Sequence, residues 1–441
     1  MAEVQDIGFR ERSFAGALSE ISFAYENVPF YGDHLRAAGL RPEDVRTPED
    51  LRRVPPTRKV DYRRNFPSGV LVKGKTLAEP LTLKSQSSGT GGERLTTISH
   101  TYALADRMRA TLSANEVLGE ALARCRSQRP ARYAAPNCSD VECATPYTTM
   151  ADRTLADGTL VLPVAHDVLA TPDRMVRQAI DEVKEFRPHW FYADATHLAF
   201  LVRQLSERGE EPPPVTAIAL TYTLATGVAR RQLLEFFGPG VPMAEIVSMT
   251  ELGWVAIECP ARRMHVNNVK FHTEFLVGSR PALPGERAEL VVTSIGDRLS
   301  PHLRYRTGDI YTVEAGPCAC GSDLPLARHE GRYTTMIKVV RDGETVWVSP
   351  RDVDDAVGDD LPIDVYQLHQ RGNGDLEFRY IPSRAAKVDE DDLRERLANL
   401  FGAGYTLTLE AVAYIPAARS GKFASCTSEV PDDAHEVSHA Q

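Results

Sequence analysis

The spacing of apolar residues predicts strands and helices in alternation through most of the chain. Residues 175–186 carry apolar side chains at the three-to-four spacing of one helix face. Residues 216–222 form an apolar, β-favouring run, which predicts a buried strand, and residues 228–237 predict the helix that follows, ended by the Gly-Pro-Gly run at 238–240. This alternation is typical of an α/β fold built of layered β-sheets and helices.

Weaker patterns flank this region on both sides. Helical spacing predicts helices at residues 18–25 and 42–51, before a proline-rich break. Alternating apolar positions predict further strands at residues 289–294 and 301–311.

From about Gly331 the pattern becomes a compact module of strands and two helices. Strands are predicted at residues 337–340 and 345–348, a hairpin at residues 365–380, and a helix with an acidic first turn at residues 389–401. We therefore predict a large N-terminal domain, residues 1–332, and a small α+β C-terminal domain, residues 333–441. Its end, from about Ser428, is acidic and aperiodic, which predicts a loose tail.

Composition narrows the class of function. The chain has 441 residues, with 51 Lys and Arg against 61 Asp and Glu and a net charge of -10. An acidic balance disfavours binding to the phosphates of nucleic acid, and no run reaches the roughly 18 apolar residues that a membrane span needs. The N-terminus lacks the basic-then-apolar order of a secretory signal. We expect a cytoplasmic enzyme that acts on small molecules, with no nucleic-acid or membrane partner.

A serine- and glycine-rich segment at residues 84–94 follows the β-like run 81–83. Glycines let the backbone turn its N–H groups toward an anion, and the hydroxyls add neutral donors, so such a loop can wrap phosphates. Read alone, the segment is equally typical of a flexible surface turn.

Four later motifs give this loop a context. They are Met249-Thr250-Glu251, residues 305–309 (Tyr-Arg-Thr-Gly-Asp), Gly331-Arg332 and residues 419–422 (Arg-Ser-Gly-Lys). In this order they resemble the adenylate-forming superfamily. The short length, residues 137–143 and a Cys-x-Cys-Gly run before Gly331 make the chain similar to its phenylacetate-CoA ligase-like branch. The resemblance spans about residues 80–425 and implies that the N-terminal domain is the adenylation domain and the C-terminal domain a mobile lid.

The resemblance also implies roles for individual residues in an ATP-dependent reaction. Lys422 would bridge the attacking oxyanion and the α-phosphate, and Glu251 would help hold Mg²⁺ during catalysis. Asp309 would accept hydrogen bonds from both ribose hydroxyls, while Thr250 would touch the α-phosphate and Arg332 would lie near the ribose. The nucleotide-binding residues implied are Ser87, Ser88, Gly89, Thr90, Gly91, Ser248, Met249, Thr250, Asp309 and Arg332.

The seven cysteines are an odd number in a long chain, which favours a reduced compartment over a disulfide framework. Cys259, His265, Cys318 and Cys320 offer three thiolates and one imidazole, a ligand set typical of structural zinc. Some members of the branch bind zinc near the active site. The alternative is a group of buried free cysteines, and His272 is the reserve fourth ligand.

The sequence departs from the family pattern at three places. Val247-Ser248 replaces a Tyr-Gly pair, which removes an aromatic neighbour of adenine. An insert at residues 337–350 would place Arg341, Asp342 and Trp347 around a turn near the path of a CoA thiol, with Thr334 or Thr335 at the hinge position. The run 221–227 replaces an expected acidic position, and within it Tyr222 is a candidate for the substrate pocket, or a packing residue.

Three hypotheses follow. The first is adenylation of a small, aromatic carboxylic acid with release of pyrophosphate, followed by acyl transfer to CoA or to a separate carrier protein. In the second, the activated oxyanion is nitrite and an aryl amine becomes a diazonium, as in relatives from bacterial natural-product pathways. The third is a non-catalytic nucleotide-binding protein. A homodimer is left open.

Overall fold

The computed structural model describes residues 2–87, 94–123, 129–136, 148–341, 343–384, 386–402 and 404–430, without the side chains of residues 2–10 and 341. Within these residues the chain forms two compact units. The first unit comprises residues 1–120 and 246–329, and the second comprises residues 121–245 and 330–441.

The regular elements confirm a mixed α/β fold. The helices are α1 (Ala2–Asn27), α2 (Pro29–Ala37), α3 (Pro48–Leu51), α4 (Lys59–Asn65), α5 (Thr101–Leu112), α6 (Glu116–Ala123), α7 (Met150–Arg153), α8 (Asp173–Phe186), α9 (Ala195–Glu207), α10 (Gly227–Phe237), α11 (Pro350–Val357) and α12 (Glu390–Phe401). The first ten strands are β1 (Thr82–Gln86), β2 (Thr96–His100), β3 (Pro130–Tyr133), β4 (Leu160–Val161), β5 (Trp190–Ala193), β6 (Ala217–Leu220), β7 (Met243–Met249), β8 (Gly253–Glu258), β9 (Met264–Val266) and β10 (Phe271–Val277). The others are β11 (Arg280–Pro281), β12 (Arg287–Ser294), β13 (Tyr305–Val313), β14 (Ala327–Arg332), β15 (Ile337–Arg341), β16 (Glu344–Val348), β17 (Ile363–Gln370), β18 (Leu376–Pro382), β19 (Leu407–Ala411) and β20 (Cys426–Ser428).

The first unit is built on antiparallel sheet. Its largest sheet has the strand order β11-β10-β12-β13-β14, and β1 pairs with β2 in a separate hairpin. The end of β7 pairs with β8, which pairs with β9. One hydrophobic core joins α1, α2 and α4 to these strands through buried residues such as Tyr31, Tyr62 and Phe271. Each such side chain stabilises the fold by about 1.5–3 kcal/mol when fully buried.

The second unit contains a parallel sheet and the C-terminal module. Strands β4, β3, β5, β6 and the start of β7 run parallel in that order, as βαβ connections require. Helices α8, α9 and α10 bury their apolar faces in the same core. In the C-terminal module, β19-β18-β17-β20 form a second sheet that packs with α11 and α12, and Val228 of α10 joins this core.

Most predicted elements are confirmed, including the helix at 175–186, the strand and helix at 216–237, the β-runs at 289–294 and 301–311 and the elements at 337–401. The helix predicted at 42–51 is wrong. The segment forms a 3₁₀ turn, Pro42–Asp44, and a separate short helix, α3, because Thr47 caps a new helix that begins at Pro48. The predicted start of the tail at Ser428 is wrong, because Ser428 lies in β20, and residues 431–441 lie outside the described residues.

The division at Arg332/Tyr333 and the mobility of the C-terminal segment stay predictions. Among the helices of the described residues, none is both long and apolar enough to span a membrane.

Candidate functional site

Thr250 and Glu251 lie at the tip of a tight hairpin in the first unit. Strands β7 and β8 pair up to Met249 and Gly253, and the Leu252 amide donates to the Met249 carbonyl at 3.2 Å. Gly253 has a φ of 75°, a left-handed conformation that glycine adopts without steric cost, so the chain can reverse directly after Glu251. The hairpin therefore fixes where the Glu251 side chain starts.

The Glu251 carboxylate is buried next to a cation. The Lys59 ammonium at the start of α4 lies 3.3 Å from Glu251 Oε1, and the Tyr305 hydroxyl donates to the same oxygen at 3.1 Å. Thr97 donates to the carbonyl of Thr250 at 3.3 Å. Carboxylate oxygens are ligands that Mg²⁺ prefers, and in this structure Glu251 is paired with the Lys59 ammonium. The sequence pattern does not indicate Lys59, because its contact forms only through tertiary structure.

Ser248 and Met249 are the last residues of β7. Met249 is buried in the core of the first unit, and Ser248 pairs with Trp254 across the hairpin. Both lie directly before the Glu251 turn, and a role in nucleotide binding stays a prediction for each.

Asp309 lies on a bulge of β13. Strand β13 pairs with β12 at Arg306 and again at Ile310, while the facing stretch of β12 advances only from Val291 to Glu289. The intervening residues therefore stand out from the ladder, and Gly308 takes a φ of 76°. The bulge presents the Thr-Gly-Asp part of the motif as a fixed unit, with Asp309 buried.

Glu289 holds this bulge from the neighbouring strand. Its carboxylate accepts from Arg306 Nε at 2.7 Å and from the Gly308 amide at 3.1 Å. The Thr307 hydroxyl donates to the Leu290 carbonyl at 2.8 Å and accepts from the Asp309 amide at 3.1 Å. Sequence reasoning missed Glu289, although a charged residue within an otherwise apolar strand was a usable signal.

Ser87 closes the β1–β2 hairpin that carries the predicted phosphate loop. Its amide donates to the Leu95 carbonyl at 2.8 Å, and its hydroxyl accepts from the Leu95 amide at 2.9 Å. The loop thus begins from a fixed base. Ser88, Gly89, Thr90 and Gly91 lie outside the described residues.

In the second unit, Lys422 and Tyr222 come together. The Lys422 ammonium donates to the Tyr222 carbonyl at 3.2 Å, just beyond the carboxyl end of β6. Tyr222 has a φ of 75°, which is costly for a bulky residue and is often found at functional sites. Its ring packs edge-on against Tyr192, with centroids 5.6 Å apart.

Arg332 is the last residue of β14 and is exposed. Its backbone amide donates to the Thr335 hydroxyl at 3.1 Å, and that hydroxyl donates back to the Arg332 carbonyl at 2.9 Å. Thr334 and Thr335, the predicted hinge positions, form a 3₁₀ turn with Tyr333 directly after it.

The insert at 337–350 is a hairpin, but Trp347 is not at its turn. Trp347 pairs with Lys338, whose ammonium lies 4.9 Å from the centre of its ring, and it contacts Tyr333 edge-on. The expectation that Trp347 lies at the turn is therefore wrong, because the strands continue in register up to Arg341 and Glu344. Asp342 lies outside the described residues.

The four predicted zinc ligands meet in one cluster of the first unit. Their ligand atoms all lie within 4.8 Å of one another, with Cys259 Sγ 3.6 Å from Cys318 Sγ and Cys320 Sγ 3.3 Å from His265 Nε2. Four ligands around a tetrahedral zinc ion are roughly 3.5–3.8 Å apart, so the separations in this cluster are close to those of a zinc site. His272 is not part of the cluster and contacts Ser13 instead.

The surroundings of His265 also suit a metal ligand. Its Nδ1 lies 2.8 Å from the Leu324 carbonyl, so it donates there and directs Nε2 toward the thiols. Burial lowers the pKa of His265, which keeps the ring neutral at pH 7. Burial also raises the pKa of Cys320 to about 12, so metal binding has to displace a proton from this thiol.

Comparisons with known proteins find relatives in sequence. No family model matches the chain. The phenylacetate-coenzyme A ligase of Thermus thermophilus is 27% identical over 346 residues, which cover 73% of this chain and 72% of the relative. The enzyme of the same name from Pseudomonas putida is 23% identical, covering 81% of this chain and 77% of the relative.

The fold has solved counterparts as well. The structure of a 2-hydroxyisobutyryl-CoA ligase in a postadenylation state superposes with a TM-score of 0.69 at 16% identity, covering 97% of this chain and 91% of that chain. Together, the sequence relatives and the shared fold support the resemblance to the AMP-forming ligases of the adenylate-forming superfamily and to the phenylacetate-CoA ligase-like branch.

Proposed function

We propose that this enzyme uses ATP to convert a small aromatic carboxylic acid into an acyl-adenylate and then transfers the acyl group to CoA. The phenylacetate-coenzyme A ligases among its relatives support the substrate class and the acceptor. The edge-on ring pair of Tyr192 and Tyr222 supports an aromatic substrate, because aromatic rings favour such neighbours and the Tyr222 carbonyl accepts from Lys422.

The position of the Lys422 ammonium carries the proposal. It lies at the carboxyl end of β6, and ligands of open parallel sheets bind outside the carboxyl ends of the strands. A cation held at this edge is suited to a carboxylate substrate and to the negative charge that develops on the α-phosphate.

The reaction needs no nucleophile from the protein. A carboxylate oxygen forms a bond to the α-phosphorus of ATP, the bond from that phosphorus to the bridging oxygen breaks, and pyrophosphate leaves with the electron pair. We assign Asp309 to the ribose hydroxyls, Thr250 to the α-phosphate and Lys422 to the pentavalent α-phosphoryl group. Catalysis then consists of positioning and charge stabilisation.

We propose that Glu251 holds Mg²⁺ together with ATP. The ion, when bound, neutralises charge on the phosphates. The position of Glu251 at a fixed hairpin tip supports this assignment, because its carboxylate supplies the hard oxygen ligands that Mg²⁺ prefers. Ser87 to Gly91 are assigned to the β- and γ-phosphates, and Arg332 to the ribose side.

We also propose that Cys259, His265, Cys318 and Cys320 hold a structural zinc ion. The ligand set is closed, with four protein ligands, so zinc has no open position for chemistry. Its effect is to tie the end of β8 and strand β9 to the segment that carries Cys318 and Cys320.

One assay separates this proposal from its alternatives: pyrophosphate release with a panel of aryl acids, with and without CoA, and then with nitrite plus an aryl amine. We expect acid-dependent release and a CoA thioester. Pyrophosphate release without a CoA thioester would indicate that the acceptor is another thiol, such as that of a carrier protein. Release with nitrite alone would favour the diazonium reaction, and no release under any condition would favour a nucleotide-binding protein.

A further inference from the structure

Lys422 belongs to a short turn that is anchored by two residues from another part of the second unit. The turn, residues 418–422, is closed by the Ala418 amide donating to the Lys422 carbonyl at 3.0 Å and by the Gly421 amide donating to the Ala418 carbonyl at 2.8 Å. We call residues 418–422 the lysine turn. Its own bonds fix its shape but not its place on the protein.

Asp167 bonds to the segment that enters the lysine turn. Its Oδ2 accepts from the Ala417 amide at 3.1 Å and also accepts from the Tyr414 hydroxyl. Asp167 precedes the 3₁₀ turn Val168–Ala170, where an aspartate commonly caps the turn, yet its side chain makes no capping bond there. The carboxylate is committed to the C-terminal segment instead.

His166 contacts the lysine turn itself. Its Nε2 lies 2.9 Å from the Arg419 carbonyl oxygen, so the ring N–H donates a hydrogen bond to that oxygen. Gly421 lies directly against the same residue: a Cβ there would be 2.8 Å from the His166 carbonyl oxygen and 3.0 Å from Ala135 Cβ. Gly421 also has a φ of 78°, so both the conformation and the close approach require glycine.

We propose that His166 and Asp167 are positioning residues for Lys422. They hold the lysine turn against residues 135 and 166, so that the next side chain along, Lys422, reaches the Tyr222 carbonyl at the carboxyl end of β6. Neither residue is assigned to the substrate or the nucleotide, and each acts through the turn. The proposal rests on the role of Lys422 in the proposed function.

The anchoring contact is tested first by a measurement that needs no activity. Hydrogen exchange at the Ala417 amide reports its bond to Asp167, and a hydrogen bond to a charged group protects such an amide by about 10–100-fold. We expect Asp167→Ala to raise exchange in residues 414–422 by that factor. Asp181→Asn is the matched control, since Asp181 is an exposed aspartate of α8 whose side chain makes no hydrogen bond or ion pair within the described part of the chain. Unchanged exchange in Asp167→Ala would overturn the contact.

The positioning role is tested by a double-mutant cycle on pyrophosphate release. Asp167→Ala should lower kcat for adenylation. Asp167→Asn should lower it less, because an acceptor oxygen remains. Neither variant should slow thioester formation from a supplied acyl-adenylate. In a Lys422→Ala background, Asp167→Ala should have no further effect, because its route to the reaction is already removed. An equal effect in both backgrounds would contradict the proposal.

The two failures are distinguishable. A wild-type protein that releases no pyrophosphate with any oxyanion overturns the proposed function, and with it the catalytic consequence of the anchor. The exchange measurement still decides whether Asp167 holds the lysine turn.

Discussion

The Lys422 ammonium is held by a backbone carbonyl, so its position is defined before any substrate arrives. A preset charge stabilises a transition state without reorganisation, and one such donor contributes about 10²–10³ in rate. Glu251 is likewise fixed in position, because Lys59 and Tyr305 both contact its Oε1.

Lys422→Ala should therefore lower acid-dependent pyrophosphate release by about 10²–10³-fold while leaving the affinity for ATP within a few-fold of wild type. Lys387→Ala is the control, since Lys387 is an exposed lysine of the same module. An undiminished rate in Lys422→Ala would refute the assigned role.

The lowered pKa of buried His302 predicts that the stability of the first unit depends on pH. Burial lowers its pKa from 6.5 to about 4, and its neighbours Asp297 and Arg107 have opposing effects. Since the unfolded state binds the proton more readily, this contribution to stability is fully present above pH 6.5 and is lost as the pH falls toward 4, by about 3 kcal/mol in total.

His302→Phe should remove that part of the acid dependence, because the ring still stacks on Tyr62 but cannot be protonated. The measurement is urea unfolding of both proteins between pH 7 and 4. A free energy of unfolding that changes with pH in the wild type as it does in the variant would contradict the assignment.

At the scale of elements, hairpins and bulges position the candidate site residues, as the β7–β8 hairpin does for Glu251 and the β13 bulge does for Asp309. Strand and helix positions follow from apolar spacing, so most of them could be predicted from the sequence. The bulge that carries Asp309 could not, because it depends on a pairing between β12 and β13 and on Glu289. The position of Trp347 was missed for a similar reason, since hairpin register decides which residues lie at the turn.

Glu289→Ala should displace the bulge, since Arg306 and the Gly308 amide lose their acceptor. We expect a raised KM for ATP together with a loss of stability of about 3–5 kcal/mol, the cost of breaking a buried ion pair. Glu289→Gln keeps an acceptor and should change both quantities less. Steady-state kinetics and urea unfolding measure the two effects, and an unchanged KM in Glu289→Ala would argue against its hold on Asp309.

The cluster of Cys259, His265, Cys318 and Cys320 also connects separate elements of the first unit. Zinc bound by this cluster would join β8 and β9 to the segment that carries Cys318 and Cys320. Cys318→Ser should therefore reduce the bound zinc to well below one equivalent. It should also lower Tm, by about 2–4 °C for each kcal/mol of stability lost in a domain of this size. Cys426→Ala removes a buried cysteine outside the cluster and should leave the zinc content unchanged. Wild-type protein that contains no bound zinc after purification would count against the site.

At the scale of the whole molecule, motif order predicted the superfamily and branch, and the comparisons confirm both. The four cluster residues were also identified correctly as neighbours, because thiolate and imidazole pairs are distinctive even at long separation. Lys59, Glu289, His166 and Asp167 were not found. Their roles depend on contacts between segments far apart in the chain, which no local pattern records.

The transfer of oxygen from acid to nucleotide tests the central claim most directly. The account predicts that an aryl acid labelled with oxygen-18 in its carboxylate, incubated with the enzyme, ATP and CoA, gives AMP with one labelled oxygen. The label moves because the carboxylate oxygen attacks the α-phosphorus and stays on it when the acyl group leaves. Thioester formed alongside unlabelled AMP, or no acid-dependent AMP at all, would contradict it.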